Sequence, residues 1–374
     1  MKNILIMKFP LSSMMGGGER HTMSLVNELR QKDFNFFLAS SCRVLLSEFK
    51  KNRWPAKRWW GGVEPVSISR ILIWPFVAPF ACMSLGAVLV YYRLVKKTTV
   101  LYCLSLTEKI LATVPARLLG MKVIWVEHVT VERWLAQNPL KILYRWFSRG
   151  VSIVAVSKAI KGQLTKDIHV REDNISVIYN GVDLKKFTVK ERRWEQSARF
   201  NIGCVARLEP EKGVEFLIQS VKIVQEFIPF VRLIIVGEGS ERKKLIWLSE
   251  RLGLKETIQW VGYQREVDKW YSYFDALVLP SVRRESFGIT LVEAMATGIP
   301  VVGTRLGGIP EIIGHKSTGL LAKPGDSQDM ADQLIYLFNH RAESHEMVLR
   351  ARQKVETIFS LDRMVRDYYL LLRK

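Results

Sequence analysis

Short apolar runs alternate with amphipathic stretches along most of the chain. In the first half, Asn3–Met7, Asn35–Ala39, Thr99–Leu104, Lys122–Glu127, Val151–Val156 and Ser176–Ile178 have the length and β-rich character of strands. Between them, Glu19–Gln31 and Glu108–Leu119 carry apolar residues at helical spacing. Buried strands separated by helices predict an α/β domain with a parallel, doubly wound sheet. The pattern lapses after YNGVD (Tyr179–Asp183), in the charged stretch KKFTVKERRWEQSAR, which reads as a linker. It resumes with strands at Asn201–Val205, Arg232–Val236, Thr257–Val261, Ala276–Leu279 and Val301–Val302. Two Rossmann-like domains are therefore expected, over residues 1–185 and 186–355. A terminal helix within 356–374 is expected to pack back on the first. In open α/β sheets ligands bind outside the carboxyl ends of the strands, so loops following strands should line a cleft between the domains.

Two stretches depart from a plain soluble pattern. Ile71–Tyr92 holds 22 residues without a charge, long enough to suggest a membrane span. Spanning would place the first strands across the bilayer from the rest of their own sheet, and Pro75 and Pro79 are expected to spoil the helix start. A buried helix with a loop and a hydrophobic surface against a membrane both remain open. Just before it, FKKNRWPAKRWW interleaves Lys50, Lys51, Arg53, Lys57 and Arg58 with Trp54, Trp59 and Trp60. Basic residues mixed with tryptophan favour an anionic headgroup region, and membrane contact is the preferred reading. A solvated loop with its tryptophans packed on the domain is the structural alternative. A single-stranded nucleic acid groove has similar chemistry, but no recognition motif accompanies it.

Charge sharpens this picture. The chain carries 56 Lys and Arg against 36 Asp and Glu, a net +20, and residues 1–185 hold 27 of the basic and only 12 of the acidic residues. An anionic surface is thus expected to meet the first half. The start, MKNILIMKFP, is broken by Lys8 and reads as a strand rather than a signal peptide. Cys42, Cys82, Cys103 and Cys204 are far apart in apolar contexts with no CxxC, which favours a reducing compartment over a disulfide or zinc framework.

Candidate chemistry concentrates after strands. ESFGITLVEAMATGIPVV (Glu285–Val302) places Glu285 and Glu293 eight residues apart in a nearly apolar segment. Burying unpaired carboxylates is costly, so two acids here point to something polar being held. A helix starting near Gly288–Thr290 puts Glu285 in the preceding loop and Glu293 about one turn inside, with free amides between them to form an anion site. Carboxylates also accept paired sugar hydroxyls, so the arrangement suits a phosphorylated sugar compound. VARLEPEKG (Val205–Gly213) brings Arg207 and Lys212 out of a strand-end loop, where two cations can neutralise a diphosphate. PLSSMMGGGERH sets a glycine run between a strand and a helix, where backbone can approach a ligand closely. Neither it nor VGEGSER is a GxGxxG fingerprint, which argues against a nicotinamide dehydrogenase.

With the glycine loop, VEH (Val126–His128), YNGVD, ARLEPEKG, VGEG, FDALVLPS and above all the E-x7-E block ESFGITLVEAMATGIPVV, the chain resembles the retaining glycosyltransferases of family 4 over nearly its whole length. That resemblance implies the GT-B fold, two facing Rossmann-like domains with a donor/acceptor cleft between them. It implies that Arg207 and Lys212 clamp a nucleotide sugar's diphosphate, that Glu293 holds the ribose hydroxyls and that Glu285 touches the donor sugar. The amides of Phe287, Gly288 and Ile289 would complete the phosphate site. Gly17 and Gly18 would close over the diphosphate, and His128 would point toward the transferred sugar. Glu285, His128, Arg207 and Lys212 are thus the candidate catalytic residues. No metal or other cofactor is expected, since two cations take the metal's place and no Asp-x-Asp motif is evident. One departure is PSVRRES, where Arg283 and Arg284 stand beside Glu285 and are candidates to pair with it. The expected partners are a nucleotide sugar, a lipid-linked or glycan acceptor and an anionic membrane, with no nucleic acid, at the cytoplasmic face. A nucleotide-sugar 2-epimerase on the same fold and a non-catalytic binding subunit are the rivals. The first would need further acid/base carboxylates, and the second is disfavoured by the intact Arg207, Lys212, Glu285 and Glu293.

Overall fold

All eleven expected strands form in the computed structural model, which describes residues 1–9, 16–60, 62–131, 135–189 and 199–373. Residues 10–15 of the glycine loop and 190–198 of the expected linker lie outside the described residues. The first unit comprises Met1–Tyr179 together with the chain from Met364, and the second comprises Asn180–Arg363. The division thus falls before residue 185, because Val182 bridges Ser360 and joins the YNGVD segment to the second unit. Residues 356–363 belong to that unit as well.

The first unit contains β1 (Lys2–Lys8), α1 (Gly17–Arg30), β2 (Phe34–Ser40), α2 (Arg43–Lys51), β3 (Ala56–Arg58), α3 (Ile68–Leu94), β4 (Thr98–Cys103), α4 (Leu106–Leu111), α5 (Thr113–Leu118), β5 (Lys122–Glu127), α6 (Lys141–Phe147), β6 (Ser152–Ala155), α7 (Lys158–Lys166) and β7 (Ile175–Val177). Its parallel sheet has the order β3-β2-β1-β4-β5-β6-β7. Ile4, Leu5, Ile6 and Met7 of β1 are all buried, as a central strand covered on both faces requires. The second unit contains β8 (Phe200–Val205), α8 (Val214–Phe227), β9 (Val231–Val236), α9 (Arg242–Arg251), β10 (Ile258–Gly262), α10 (Asp268–Tyr271), β11 (Ala276–Leu279), α11 (Ile289–Ala296), β12 (Val301–Thr304), α12 (Ile309–Ile312), β13 (Leu320–Ala322), α13 (Ser327–Asn339) and α14 (Arg341–Ile358). Its parallel sheet runs β10-β9-β8-β11-β12-β13. The final helix α15 (Leu361–Arg373) begins in the second unit and ends in the first. Within the first unit its end is tied to β1 by the Lys2 Nζ, which donates to the Leu372 carbonyl at 3.0 Å.

Three local features differ from the sequence reading. The Glu108–Leu119 stretch is two short helices, α4 and α5, and Pro115 sits in the first turn of α5, where its missing N–H costs little. The strand β3 lies inside the basic, tryptophan-rich stretch; its alternation is hidden because all three residues are exposed on the sheet edge. Helix α3 runs unbroken from Ile68 through Pro75 and Pro79, so the expected disruption does not occur. Burial of one face, including Trp74, Leu85 and Leu89, offsets the two hydrogen bonds the prolines remove.

In each sheet the order reverses once, between β1 and β4 and between β8 and β11. The loops following those strands part at their carboxyl ends, which is where an α/β sheet offers space for a ligand.

Candidate active site

In the second unit the reversal joins two loops 73 residues apart. Lys212 follows β8 and Glu285 follows β11; the Lys212 Nζ lies 2.7 Å from Glu285 Oε2. The Ser281 hydroxyl donates to the same oxygen at 2.7 Å. Glu285 is buried, and this pairing with a cation and a hydroxyl is what makes a buried carboxylate tolerable. Arg283 and Arg284, the candidates to hold it, are exposed. The loops are stitched by the Glu211 carbonyl, which accepts from the amides of Val282 (2.9 Å) and Arg283 (3.2 Å). Gly213 makes this approach possible: its φ is +61°, and a Cβ there would stand 2.4 Å from the Pro280 carbonyl oxygen. Arg207 sits on the same strand-end loop with a half-exposed side chain, 3.6 Å from Glu211.

Glu293 lies on α11, which Gly288 starts with φ +103°. The carboxylate is buried and accepts from the Tyr271 hydroxyl at 2.6 Å. The helix therefore begins between the two acids, as its sequence requires; in its first turn Leu291 donates to the Gly288 carbonyl at 3.0 Å, while the Ile289 and Thr290 amides come too early for an i−4 acceptor within the helix. Phe287 is a core side chain stacked edge-on against Phe359 at 5.6 Å, so it can offer a ligand only its backbone. Gly288 is buried beside it, and Ile289 is half-buried.

In the first unit, Gly17 and Gly18 open α1 behind Gly16. The Glu19 carboxylate accepts from the Gly16 amide at 3.0 Å and pairs with Lys8 at the end of β1. His128 follows β5, and its ring meets His21 edge-on at 4.6 Å. His21 Nε2 is in turn 3.1 Å from the Tyr368 hydroxyl on α15. A Cβ on Gly18 would come within 3.3 Å of the His128 ring, so α1 begins directly against it. The preceding Glu127 is structural: it accepts from buried Lys109 and from the Tyr144 hydroxyl, each at 2.6 Å. Burial, reinforced by His21, Lys8 and Lys109, holds the His128 pKa well below the ordinary histidine value, so the imidazole is neutral near pH 7.

A consequence for stability follows. The unfolded chain binds a proton at His128 that the folded chain refuses, so this site's contribution is complete above about pH 6.5 and is lost as pH falls below it. Melting temperature is expected to drop between pH 7.5 and 5.5 by less in His128→Gln than in wild type. Parallel pH profiles for the two proteins would contradict the neutral assignment.

The basic stretch is placed on the sheet edge. Lys50, Lys51, Arg53, Lys57 and Arg58 are exposed. Two of the three tryptophans are engaged by the domain, as in the structural alternative. Trp54 stacks edge-on with Phe49 at 5.2 Å beneath Arg30, and Trp59 Nε1 donates to Ser84 of α3 at 2.8 Å. Trp60 remains 56% exposed.

With this geometry in view, comparison with known proteins is decisive for the family. Residues 15–186 match the family described as Glycosyltransferase Family 4, and residues 188–354 match Glycosyl transferases group 1. The chain belongs to glycosyltransferase family 4. This family-4 chain is 32% identical over 224 residues to N-acetyl-alpha-D-glucosaminyl L-malate synthase of Bacillus anthracis, covering 58% of each chain. It is 30% identical over 259 residues to the amylovoran biosynthesis glycosyltransferase AmsK of Erwinia amylovora, covering 65% of this chain and 63% of AmsK. The matches thus span about three fifths of the length of these relatives. The fold is similar to that of a Rickettsia africae glycosyltransferase, with a TM-score of 0.85, 21% identity and coverage of 99% and 97% of the two chains. Anabaena HepE in complex with UDP gives a TM-score of 0.84 at 19% identity over the full length of both chains. The architecture is therefore GT-B, with two Rossmann-like units of parallel sheet.

Sequence reasoning missed Ser281, Tyr271 and the pair Gly307–Gly308. Gly308 donates its amide to the Glu285 carbonyl at 3.1 Å, and Gly307 presses against the same oxygen. A Gly-Gly step five residues beyond the expected strand Val301–Val302 is a signal for the last pair; for Tyr271 there is none.

Proposed function

We propose that this family-4 chain is a retaining glycosyltransferase. It moves a hexosyl or N-acetylhexosaminyl group from a nucleoside diphosphate donor to a lipid-linked, polysaccharide or glycolipid acceptor at the cytoplasmic face of a membrane. The observation that carries the reading is the Lys212–Glu285–Ser281 cluster at the sheet reversal, beside Arg207 and the start of α11. A relative named for amylovoran biosynthesis and a GT-B neighbour in complex with UDP support it.

In this mechanism the anomeric C–O bond breaks with its electron pair leaving on the diphosphate. Arg207, Lys212 and the amides of Phe287, Gly288 and Ile289 stabilise the charge that develops there, the contribution that usually dominates such reactions. The acceptor oxygen attacks the anomeric carbon from the same face, and its proton passes to a leaving phosphate oxygen. Glu285 orients Lys212 and meets the donor sugar, and Glu293 accepts the ribose hydroxyls. Within the first unit, Gly17, Gly18 and neutral His128 are the candidate residues. Lys212, held by Glu285, and Arg207 do the work a divalent metal would otherwise do, so no metal is required. Lys50, Lys51, Arg53, Lys57 and Arg58 hold the chain on anionic headgroups; flotation with anionic vesicles is expected to exceed that with neutral ones and to weaken with salt.

A panel of UDP- and GDP-sugars scored for slow hydrolysis without acceptor tests the reaction. Turnover of one base class is expected, and no sugar release from any donor, with or without membrane lipid extract, would reject the proposal. Glu293→Ala should weaken nucleoside diphosphate binding by about 1.5–3 kcal/mol, and Glu293→Gln by less, since the amide still accepts one bond. Unchanged affinity in Glu293→Ala, measured by calorimetry, would remove the ribose assignment.

A further inference from the structure

Helix α3 has two apolar faces, and among the described residues only one of them is covered. Trp74, Ala78, Ala81, Leu85, Val88 and Leu89 are buried where the helix packs on β4, α4 and α5. On the opposite side Leu72, Phe76, Phe80, Met83, Val90 and Leu94 recur at intervals of three, four or seven and are 42–77% exposed. Large apolar side chains in a continuous stripe are rare on the surface of a soluble monomer.

The surroundings of that stripe identify its occupant. From Phe49 to Lys97 the sequence has a single carboxylate, Glu64. It is buried, accepting from the Leu106 amide and the Thr107 hydroxyl at 2.6 Å each, and so adds nothing to the surface. The exposed Arg70 and Lys97 stand at the two ends of the helix. Along its second half runs the basic edge strand β3. Lys57 Nζ is 5.9 Å from the Tyr91 ring centre, and Trp59 is hydrogen-bonded to Ser84. Two copies meeting through this stripe would bring basic rims together, whereas an anionic bilayer complements both the apolar stripe and its rim. Spanning is incompatible with the fold. Strands β1 and β4, on either side of α3 in sequence, pair with each other in parallel, and a crossing helix would part them.

We propose that α3 is an in-plane membrane helix, its Leu72–Phe76–Phe80–Met83 stripe sunk into one leaflet of an anionic bilayer and its flanking cations on the headgroups. This deepens the membrane reading above but does not depend on sugar transfer. It separates two components of binding: the lysines and arginines supply a salt-sensitive part, and the stripe supplies a salt-resistant part.

The test uses the full chain and vesicles of phosphatidylcholine with or without phosphatidylglycerol. Wild type is expected to float with the mixed vesicles and to stay partly bound in high salt. Phe76→Ser/Phe80→Ser/Met83→Ser should lower the salt-resistant fraction by at least roughly tenfold. Its melting temperature should be unchanged, since none of the three side chains is buried. Phe80→Cys carrying an environment-sensitive dye, in a Cys82→Ala background, should shift to shorter wavelength on vesicles and be quenched by lipid-borne quenchers. A dye at Ser176→Cys on β7, exposed at the opposite edge of the sheet from β3, should not respond. Equal high-salt flotation of wild type and the triple variant, or an unresponsive dye at position 80, would overturn the proposal. So would a concentration-dependent dimer without vesicles that the triple variant abolishes while wild type fails to float. Donor hydrolysis is measured alongside. If it is absent while flotation behaves as expected, the catalytic reading fails and the membrane helix stands.

Discussion

Replacing Lys212 by alanine is expected to lower kcat by about a hundred-fold or more at saturating donor, and Arg207→Ala should do the same. On the proposed mechanism the effect belongs in kcat, because both cations would face charge that grows as the diphosphate departs, whereas uniform binding would appear only in KM. Arg207→Lys should remain impaired, because a point charge does not reproduce a planar two-pronged contact. The structure adds a control. Lys212→Ala leaves Glu285 buried with one hydroxyl partner, so part of any loss could come from the stranded carboxylate. Glu285→Gln in the Lys212→Ala background relieves that charge; if Lys212 acts on the leaving group, turnover stays low. Activity should also survive EDTA. Wild-type turnover in both single variants, or loss of activity on chelation, would dispose of the metal-free charge clamp.

Gly307→Ala is expected to damage the site from behind. Gly307 has φ +53°, and a Cβ there would fall 1.8 Å from the Glu285 carbonyl oxygen. Backbone must therefore move, and the residue that moves is the one holding Lys212. The left-handed conformation alone costs roughly 1–2 kcal/mol with a side chain. Gly253→Ala isolates that cost, since Gly253 has φ +71° with open space around it. Gly307→Ala should lower the melting temperature more than Gly253→Ala, and it alone should weaken nucleoside diphosphate binding. Equal effects of the two substitutions on both quantities would show that the Gly307 contact does not position the acid.

The strands were legible because a sheet buried on both faces demands continuous apolar runs, and β1, β5 and β11 carry such runs with little interruption. The E-x7-E block was legible for the opposite reason: two acids in an apolar segment conflict with burial and so mark a site. The edge strand β3 was not legible, because an edge makes no demand on hydrophobicity and its three residues read as part of a charged loop. Ser281 ends the FDALVLPS segment with nothing in the sequence to mark it as a partner of Glu285, since a serine beside a proline has many uses.

By itself, the order of residues determined two α/β units, the loops that carry Arg207, Lys212, Glu285 and Glu293, and a helix beginning between the two acids. Those properties depend on local periodicity and on which groups follow a strand. Only the tertiary structure decided which groups meet. The reversal between β8 and β11 brings Lys212 onto Glu285, Tyr271 reaches Glu293 from another helix, and Gly307 closes on the Glu285 carbonyl. Likewise, a helix apolar on both sides has no sequence signal for its inward face. Packing against β4 and α5 buries Trp74 and Leu85 and leaves Phe76 and Phe80 outside, because such contacts join residues whose separation along the chain carries no periodic trace.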